Sequence, residues 1–309
     1  MTPTVQRARF RGMGSAVDVE ITGGSPGHLT LARDRLAFLE SCWSRFQPFS
    51  DISRLNDAQG ESIPVNPATI VLLESMEVGY AATDGAFDPT LLEPLVSWGY
   101  SNSWIDPSAH TRLPDGVQSR GYIRGLSVDV NGNTAQLPPG TAVDAGGIGK
   151  GLAADMVAEM LIDDGVRGAK VSVGGDVRVI GEGPVDGGWN VPVDDAFDPT
   201  ATATEVTLVE GGMATIGRLR KAWITRDGQH AHELLDPTTR SPLSTGFESP
   251  AHATVLAPSA VWAEVHATLV MVRGAVNTFH RLASDGLGAR VVDGSGQTFF
   301  NAAWATFGR

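Results

Sequence analysis

The chain has 309 residues, 42% hydrophobic and 19% charged, which suits a globular protein with a sizeable core and excludes a disordered one. A formal net charge of −12 excludes a protein that grips nucleic acid through a basic footprint. The single cysteine, Cys42, excludes a disulfide framework and a cysteine-built zinc or iron–sulfur site, so any metal would rest on oxygen or histidine.

At the start, Arg7, Arg9 and Arg11 could imitate the basic end of a secretory leader. No apolar stretch follows them, and the expected compartment is the cytoplasm. The longest nearly apolar runs, such as residues 267–272 with Thr268 among them, are too short to enter a bilayer. Val17-Asp18-Val19-Glu20-Ile21 alternates as a strand does. Residues 28–44 set Leu29, Leu36, Leu39 and Trp43 at helical spacing, with Cys42 packed beside Trp43. Residues 68–83 repeat that spacing with Ile70, Leu73, Met76 and Tyr80, and residues 151–161 with Leu152, Met156, Val157 and Met160. Strands are expected at 169–173 and 176–180 around Gly174-Gly175, and at 222–225 and 230–235 around Asp227-Gly228. A last helix over 259–272 is capped by Ser259. Residues 121–139 and 194–204 are polar hairpin tips or surface loops, and Gly187-Gly188 an ordinary turn. No domain boundary stands out, so residues 1–309 form a single domain. Strands that follow one another directly favour an α+β fold over a regularly alternating parallel sheet.

Glycine is in excess, with 37 residues, many in pairs. The densest group is Asp144-Ala-Gly-Gly-Ile-Gly-Lys-Gly151, which runs into a helix. Such a terminus aims backbone N–H groups at an anion, and Lys150 adds charge. The spacing matches neither a P-loop nor a dinucleotide fingerprint, so a glycine-rich turn with a solvated lysine is the competing reading. Gly85-Ala-Phe-Asp-Pro-Thr90 is a turn or cap signal. His232-Glu-Leu-Leu-Asp-Pro237 lacks the second histidine of a zincin helix, and Pro237 forbids the helix itself. Glu264 and Thr268, at i and i+4 on a helix, offer hard oxygens to Mg²⁺, or else a solvated Glu above a back-bonding Thr. His266 points to another face of that helix. No G-x-S-x-G elbow is present.

Taken in order, these signals resemble successive blocks of the ApbE family over residues 10–274. They are Met13-Gly-Ser15, Ser44-Arg-Phe46 with Ser50 and Ser53-Arg-Leu-Asn56, and Gly85-Ala-Phe-Asp-Pro-Thr90 with Trp98-Gly99. Next come Asp144 to Gly151 with Asp155, Val173-Gly-Gly-Asp176, and Ala214-Thr-Ile-Gly217. His232 with Asp236-Pro237, and Ala263-Glu with Ala267-Thr268, complete the set.

The resemblance implies an α+β, T-fold-related architecture of two related halves with the site between them. It implies a Mg²⁺-dependent FAD:protein FMN transferase, which cleaves FAD to AMP and joins FMN through a phosphoester to a Thr or Ser of an acceptor protein. The alternatives are an FAD pyrophosphatase, giving FMN and AMP, and a non-catalytic FAD-binding protein. By the same resemblance Mg²⁺ is held by Glu264, Thr268 and the Gly147 carbonyl. FAD is met by Met13, Phe46, Asn56, Ala86, Phe87, Asp88, Asp144, Lys150 and Glu233. His232 is the general base toward the acceptor hydroxyl. Family acceptors resemble Asp-x-x-Ser/Thr-Gly-Ala-Ser/Thr; none occurs here, so the acceptor is a separate protein. Three positions depart from the family pattern: Glu264 stands for Asp, Ile216 for the Ser of Thr-Ser-Gly, and Arg240 for the Gly of Asp-Pro-x-Thr-Gly.

Overall fold

The computed structural model describes residues 4–118, 122–186, 188–198 and 200–307. Gly121, Gly187 and Pro199, which fall in expected turns or loops, lie outside the described residues. The chain opens with β1 (Val5–Gly12), β2 (Ser15–Thr22), α1 (Pro26–Trp43), α2 (Asp51–Asp57), β3 (Ile63–Pro64), α3 (Pro67–Ala82) and α4 (Leu92–Ser97). It continues with β4 (Ser127–Asp129), β5 (Thr134–Gln136), α5 (Gly149–Asp163), β6 (Gly168–Val173), β7 (Asp176–Gly181), β8 (Trp189–Asp194), β9 (Thr202–Leu208) and β10 (Gly211–Gly217). Then come β11 (Ala222–Ile224), β12 (His230–His232), β13 (Leu235–Asp236), β14 (Ser241–Pro242) and β15 (Pro250–Ala257). The described chain closes with α6 (Ala260–Arg273), α7 (Ala275–Ser284), β16 (Gly288–Asp293), β17 (Thr298–Phe300) and α8 (Trp304–Phe307). These elements gather into two units, one of Met1–Ala37, Lys150–Arg220 and Ser244–Arg309, the other of Phe38–Gly149 and Lys221–Leu243.

The first unit is built on an antiparallel sheet of eight described strands, in the order β1-β2-β6-β7-β10-β15-β16-β17. Val17, Val19 and Ile21 alternate inward on β2, as their spacing predicts, and are buried. The turn from β6 to β7 is Gly174-Gly175, with φ of 64° and 97°, a conformation open to glycine at both positions. Helix α6 lies against β10 and β15 on the face marked by Gly212, where a Cβ would come within 2.2 Å of Ala260 N. The opposite face is covered by the β8–β9 hairpin. Trp189, Val191, Val193, Val206 and Leu208 pack there on Val177, Val179, Met213 and Leu256. Each such side chain contributes about 1.5–3 kcal/mol on burial. The sequence reading anticipates only the polar tip of this hairpin; the strands themselves are an addition.

The second unit carries α2, α3, α4, the three-stranded β3-β5-β4 sheet and the hairpins β11–β12 and β13–β14. Ser50 caps α2 by accepting from Ser53 N at 3.0 Å, and Asn66 caps α3 by accepting from Ala68 N at 2.9 Å. Asp51 then accepts from Asn66 N and Thr69 Oγ1, both at 2.7 Å, which ties α2 to α3. The expected strand over 230–235 is broken into β12 and β13. His232 Nδ1 accepts from Leu234 N at 3.2 Å, and this local bond replaces a ladder bond. The result is an α+β protein with antiparallel sheets. No helix among the described residues is long and apolar enough to cross a membrane.

Candidate active site

Lys150 lies in the first turn of α5, where two acids reach it from other elements. Its ammonium binds Asp176, the first residue of β7, and Glu264 Oε1 on α6 at 2.7 Å. Glu264 Oε2 accepts from Gly151 N at 2.8 Å. The close approach of α5 to the start of α6 demands glycine, because a Cβ on Gly151 would stand 2.6 Å from Ala260 O. Asp176 and Glu264 are each 1% exposed. Burial pulls the Lys150 ammonium down, but Asp176 and Glu264 outweigh it and hold the group well above its ordinary value. Burial, with Asp176 adding to it, pushes the Glu264 carboxyl up against the opposing pull of Lys150.

Lys150 is paired with two carboxylates rather than lying as a solvated lysine. Two carboxylates share one ammonium, and their oxygens are hard donors of the kind a divalent cation takes. Thr268 Oγ1 donates to Glu264 O at 3.2 Å, the back-bonded geometry, and keeps its lone pairs for a ligand. Among the described residues no three His, Cys, Asp or Glu side chains gather as a metal-binding group. Gly147 belongs to the other unit, where its Cα faces the Phe87 ring.

Two further groups in this unit escape sequence reasoning. Asp155 on α5 accepts from Ala260 N at 2.9 Å and Val261 N at 2.8 Å, satisfying the N-terminal donors of α6. Burial pushes its carboxyl up to about 6, against those two donors and Arg178, whose Nε is 3.4 Å away. Arg218 is 5% exposed and donates to the backbone carbonyls of Ser244, Thr245, Gly246, Ser249 and Pro250, at 2.9–3.3 Å. Both sit inside the family-like blocks or beside them; only their partners, distant in sequence, reveal the roles. Ser259 caps α6 as its sequence predicts, accepting from Trp262 N. Met13 occupies the β1–β2 turn with φ of 51°.

The second unit brings most of the other implied contacts near one another. Asn56 is 2% exposed and clamps Val143 in both directions, donating to its O at 2.9 Å and accepting from its N at 2.8 Å. Asp144 follows directly and donates its N to Pro89 O at 2.9 Å. Asp88 accepts from Thr90 N and Oγ1, and burial raises its carboxyl against those two bonds. Ala86 and Phe87 are buried beside it. Arg45, which sequence reasoning leaves unassigned, lies over the Phe46 and Tyr100 rings at 4.2 and 4.6 Å from their centroids. Its Nε is 3.4 Å from Asp144 Oδ1. Tyr100, Trp104 and Trp223 extend the aromatic cluster. Glu233 pairs with Lys221 at 2.8 Å.

His232 is 3% exposed. Nδ1 accepts from Leu234 N, so Nε2 carries the proton and donates to Leu243 O at 3.1 Å. Arg240 adopts φ of 60°, the region in which glycine is at ease, and donates to Glu93 at 2.5 Å. Trp98 Nε1 donates to Arg240 O at 3.0 Å. Ile216 shares the β10 face of Gly212, toward α6, whereas Thr215 faces the other way.

The frame is antiparallel α+β, and Lys150 on α5, Asp176 on β7 and Glu264 on α6 meet within it. The chain belongs to the ApbE family, whose model matches residues 13–291. It is 28% identical to the FAD:protein FMN transferase of Escherichia coli K12 over 265 residues, 83% of this chain and 74% of that one. It is also 28% identical to the enzyme of the same name from Vibrio cholerae over 241 residues, covering 75% and 69%. The crystal structure of the ApbE protein from Thermotoga maritima superposes with a TM-score of 0.82 at 23% identity, covering 99% and 100% of the two chains. The apo flavinyl transferase ApbE of Pseudomonas stutzeri gives 0.80 at 25% identity, covering 99% and 98%.

Proposed function

We propose that this chain is a Mg²⁺-dependent FAD:protein FMN transferase. The observation that carries the reading is the match to the family over residues 13–291, alongside relatives that bear this name. The hydroxyl oxygen of an acceptor Thr or Ser attacks the phosphorus of the FMN half of FAD. The pyrophosphate P–O bond breaks, AMP leaves with the bonding electrons, and a phosphoester remains on the acceptor. The hydroxyl proton passes to His232 Nε2 once the ring has changed tautomer, its proton moving to Nδ1 as Nδ1 releases Leu234 N and Nε2 releases Leu243 O. Lys150 holds Glu264 and Asp176 in place. Glu264 and Thr268 would hold Mg²⁺, which in that place neutralises charge on a pyrophosphate. Met13, Phe46, Asn56, Ala86, Phe87, Asp88, Asp144, Lys150 and Glu233 are the residues assigned to FAD. Asn56 acts there through the backbone it clamps.

The test is incubation with FAD, Mg²⁺ and a peptide carrying Asp-x-x-Thr-Gly-Ala-Thr, followed by mass spectrometry. A peptide heavier by FMN, with AMP released in equal amount, is the expected result. AMP release without acceptor makes the protein an FAD pyrophosphatase. FAD binding with no turnover makes it a flavin-binding protein, and no FAD binding overturns all three readings. Glu264→Ala is expected to abolish Mg²⁺ dependence, and Glu264→Asp to keep it. Full Mg²⁺-stimulated activity in Glu264→Ala would place the metal elsewhere.

A further inference from the structure

On the sheet face turned away from α6, two polar side chains are buried without a bond. His252 on β15 is 2% exposed and Arg290 on β16 is 7% exposed. Neither ring nitrogen of His252, nor Nη1 of Arg290, has a hydrogen-bond partner among the described residues. Asp195 acts on Arg290 only through its charge, with no ion pair between them; a guanidinium without a bonded acid at this depth is costly, and buried polar groups of native proteins are otherwise satisfied.

The register places these groups together. Arg290 pairs with Thr254, and Thr254 pairs with Thr215. Thr215 Oγ1 and Thr254 Oγ1 are 3.1 Å apart. His252 is two residues before Thr254 on the same strand, hence on the same face, and lies opposite Gly217. Cross-strand neighbours of this kind stand about 5 Å apart. The acids closest in influence are already engaged. Asp194 pairs with Arg220, and Asp195 accepts from Phe197 N and Asp198 N at 2.8 and 3.0 Å. Burial pushes the imidazole down to about 4, helped by Arg220 and Arg290 and opposed by Asp194 and Asp195.

We propose that His252, Arg290, Thr254 and Thr215 form a binding site for a small oxyanion of the phosphate type, on the sheet face opposite α6. The donors match that class. Arg290 offers a fork of N–H groups, His252 a ring N–H, and the threonine pair a hydroxyl, from three adjacent strands. A tetrahedral oxyanion accepts from all of them, whereas a carboxylate has two oxygens to share. The depth of the groups favours a free ion over a phosphate carried on a large molecule. The Lys150 cluster lies on the α6 side of the sheet, so the site stands independently of the flavin reading.

The test is calorimetric titration of the FAD-free protein with inorganic phosphate at constant ionic strength, with acetate and glycerol phosphate as parallel arms. One phosphate per chain is expected, bound at least tenfold more tightly than acetate or glycerol phosphate. Arg290→Gln should weaken phosphate at least tenfold. Should that variant fold poorly, His252→Asn serves as the second, with the same expectation. In crystals soaked with selenate, the anomalous peak is expected against Arg290 and His252. Unchanged phosphate binding in the variants, no heat with wild type, or ordered water in place of selenate at these side chains would each overturn the proposal.

Discussion

Glu264 and Asp176 hold one lysine between them, and neither carboxylate is within local reach of Lys150: the partners are 26 and 114 residues away in sequence. That distance is why the motif around Lys150 looks, as sequence, like an open cradle for an anion. Asp176 lies in a quoted motif, yet nothing local tells that its carboxylate turns toward α5. His252 gives a prediction at the same scale. Its ordinary value near 6.5 falls to about 4 in the fold, because of burial first and of Arg220 and Arg290 next. The unfolded chain therefore takes a proton on this residue before the folded one does. The contribution of the neutral ring to stability is complete above pH 6.5 and is lost as pH falls through about 4. The loss amounts to about 3 kcal/mol at most. Thermal unfolding in phosphate-free buffer should show His252→Phe losing less stability than wild type between pH 6.5 and 4. Equal losses would mean the imidazole is not held neutral.

Helices with a long apolar period were the legible elements. α1, α3, α5 and α6 each fall within two residues of their expected bounds, because three or four turns of spacing outweigh any local ambiguity. α2 spans 7 residues, too few for a period, and only its Ser50 cap could have signalled it. β8 did alternate, with Trp189, Val191 and Val193 inward, but the polar tip beyond it dominates the composition. The junction of α5 and α6 was invisible for another reason: it is a side chain on one helix serving the backbone of the next. Asp155→Ala should remove two acceptors from the α6 N-terminus and leave Arg178 with Glu210 alone, costing about 1–2 kcal/mol. The melting temperature should fall by about 2–4 °C for each kcal/mol. Amide exchange should quicken first at Ala260 and Val261. A variant with unchanged exchange there would show that Ser259 alone caps the helix.

The unit that carries Lys150 is assembled from three separated stretches of chain. β2 pairs with β6 from Thr22↔Gly168 onward, and β10 pairs with β15 across the whole of residues 221–243. Contacts so distant in sequence make folding slow and truncation severe. A chain that ends after Arg220 keeps β1, β2, β6, β7 and β10, but loses β15, β16, β17 and α6. Lys150 would be left with Asp176 alone, Asp155 would lose the helix it serves, and β10 would become an open edge. Such a chain is expected to show no cooperative heat absorption in scanning calorimetry. A sharp transition would mean that the first five strands fold by themselves.

Gly217 and His252 face each other across two strands, and a Cβ on Gly217 would lie 2.8 Å from His252 Cδ2. The two positions therefore cannot vary independently. Gly217→Ala should be harmful while the imidazole is present, and His252→Ala should be harmful in its own right. The pair together should cost less than the sum of the two, by about 1 kcal/mol in a double-mutant cycle. A route from one pair to another must pass through the smaller residue at 252 before anything larger arrives at 217. The order of substitutions is set by a single van der Waals contact.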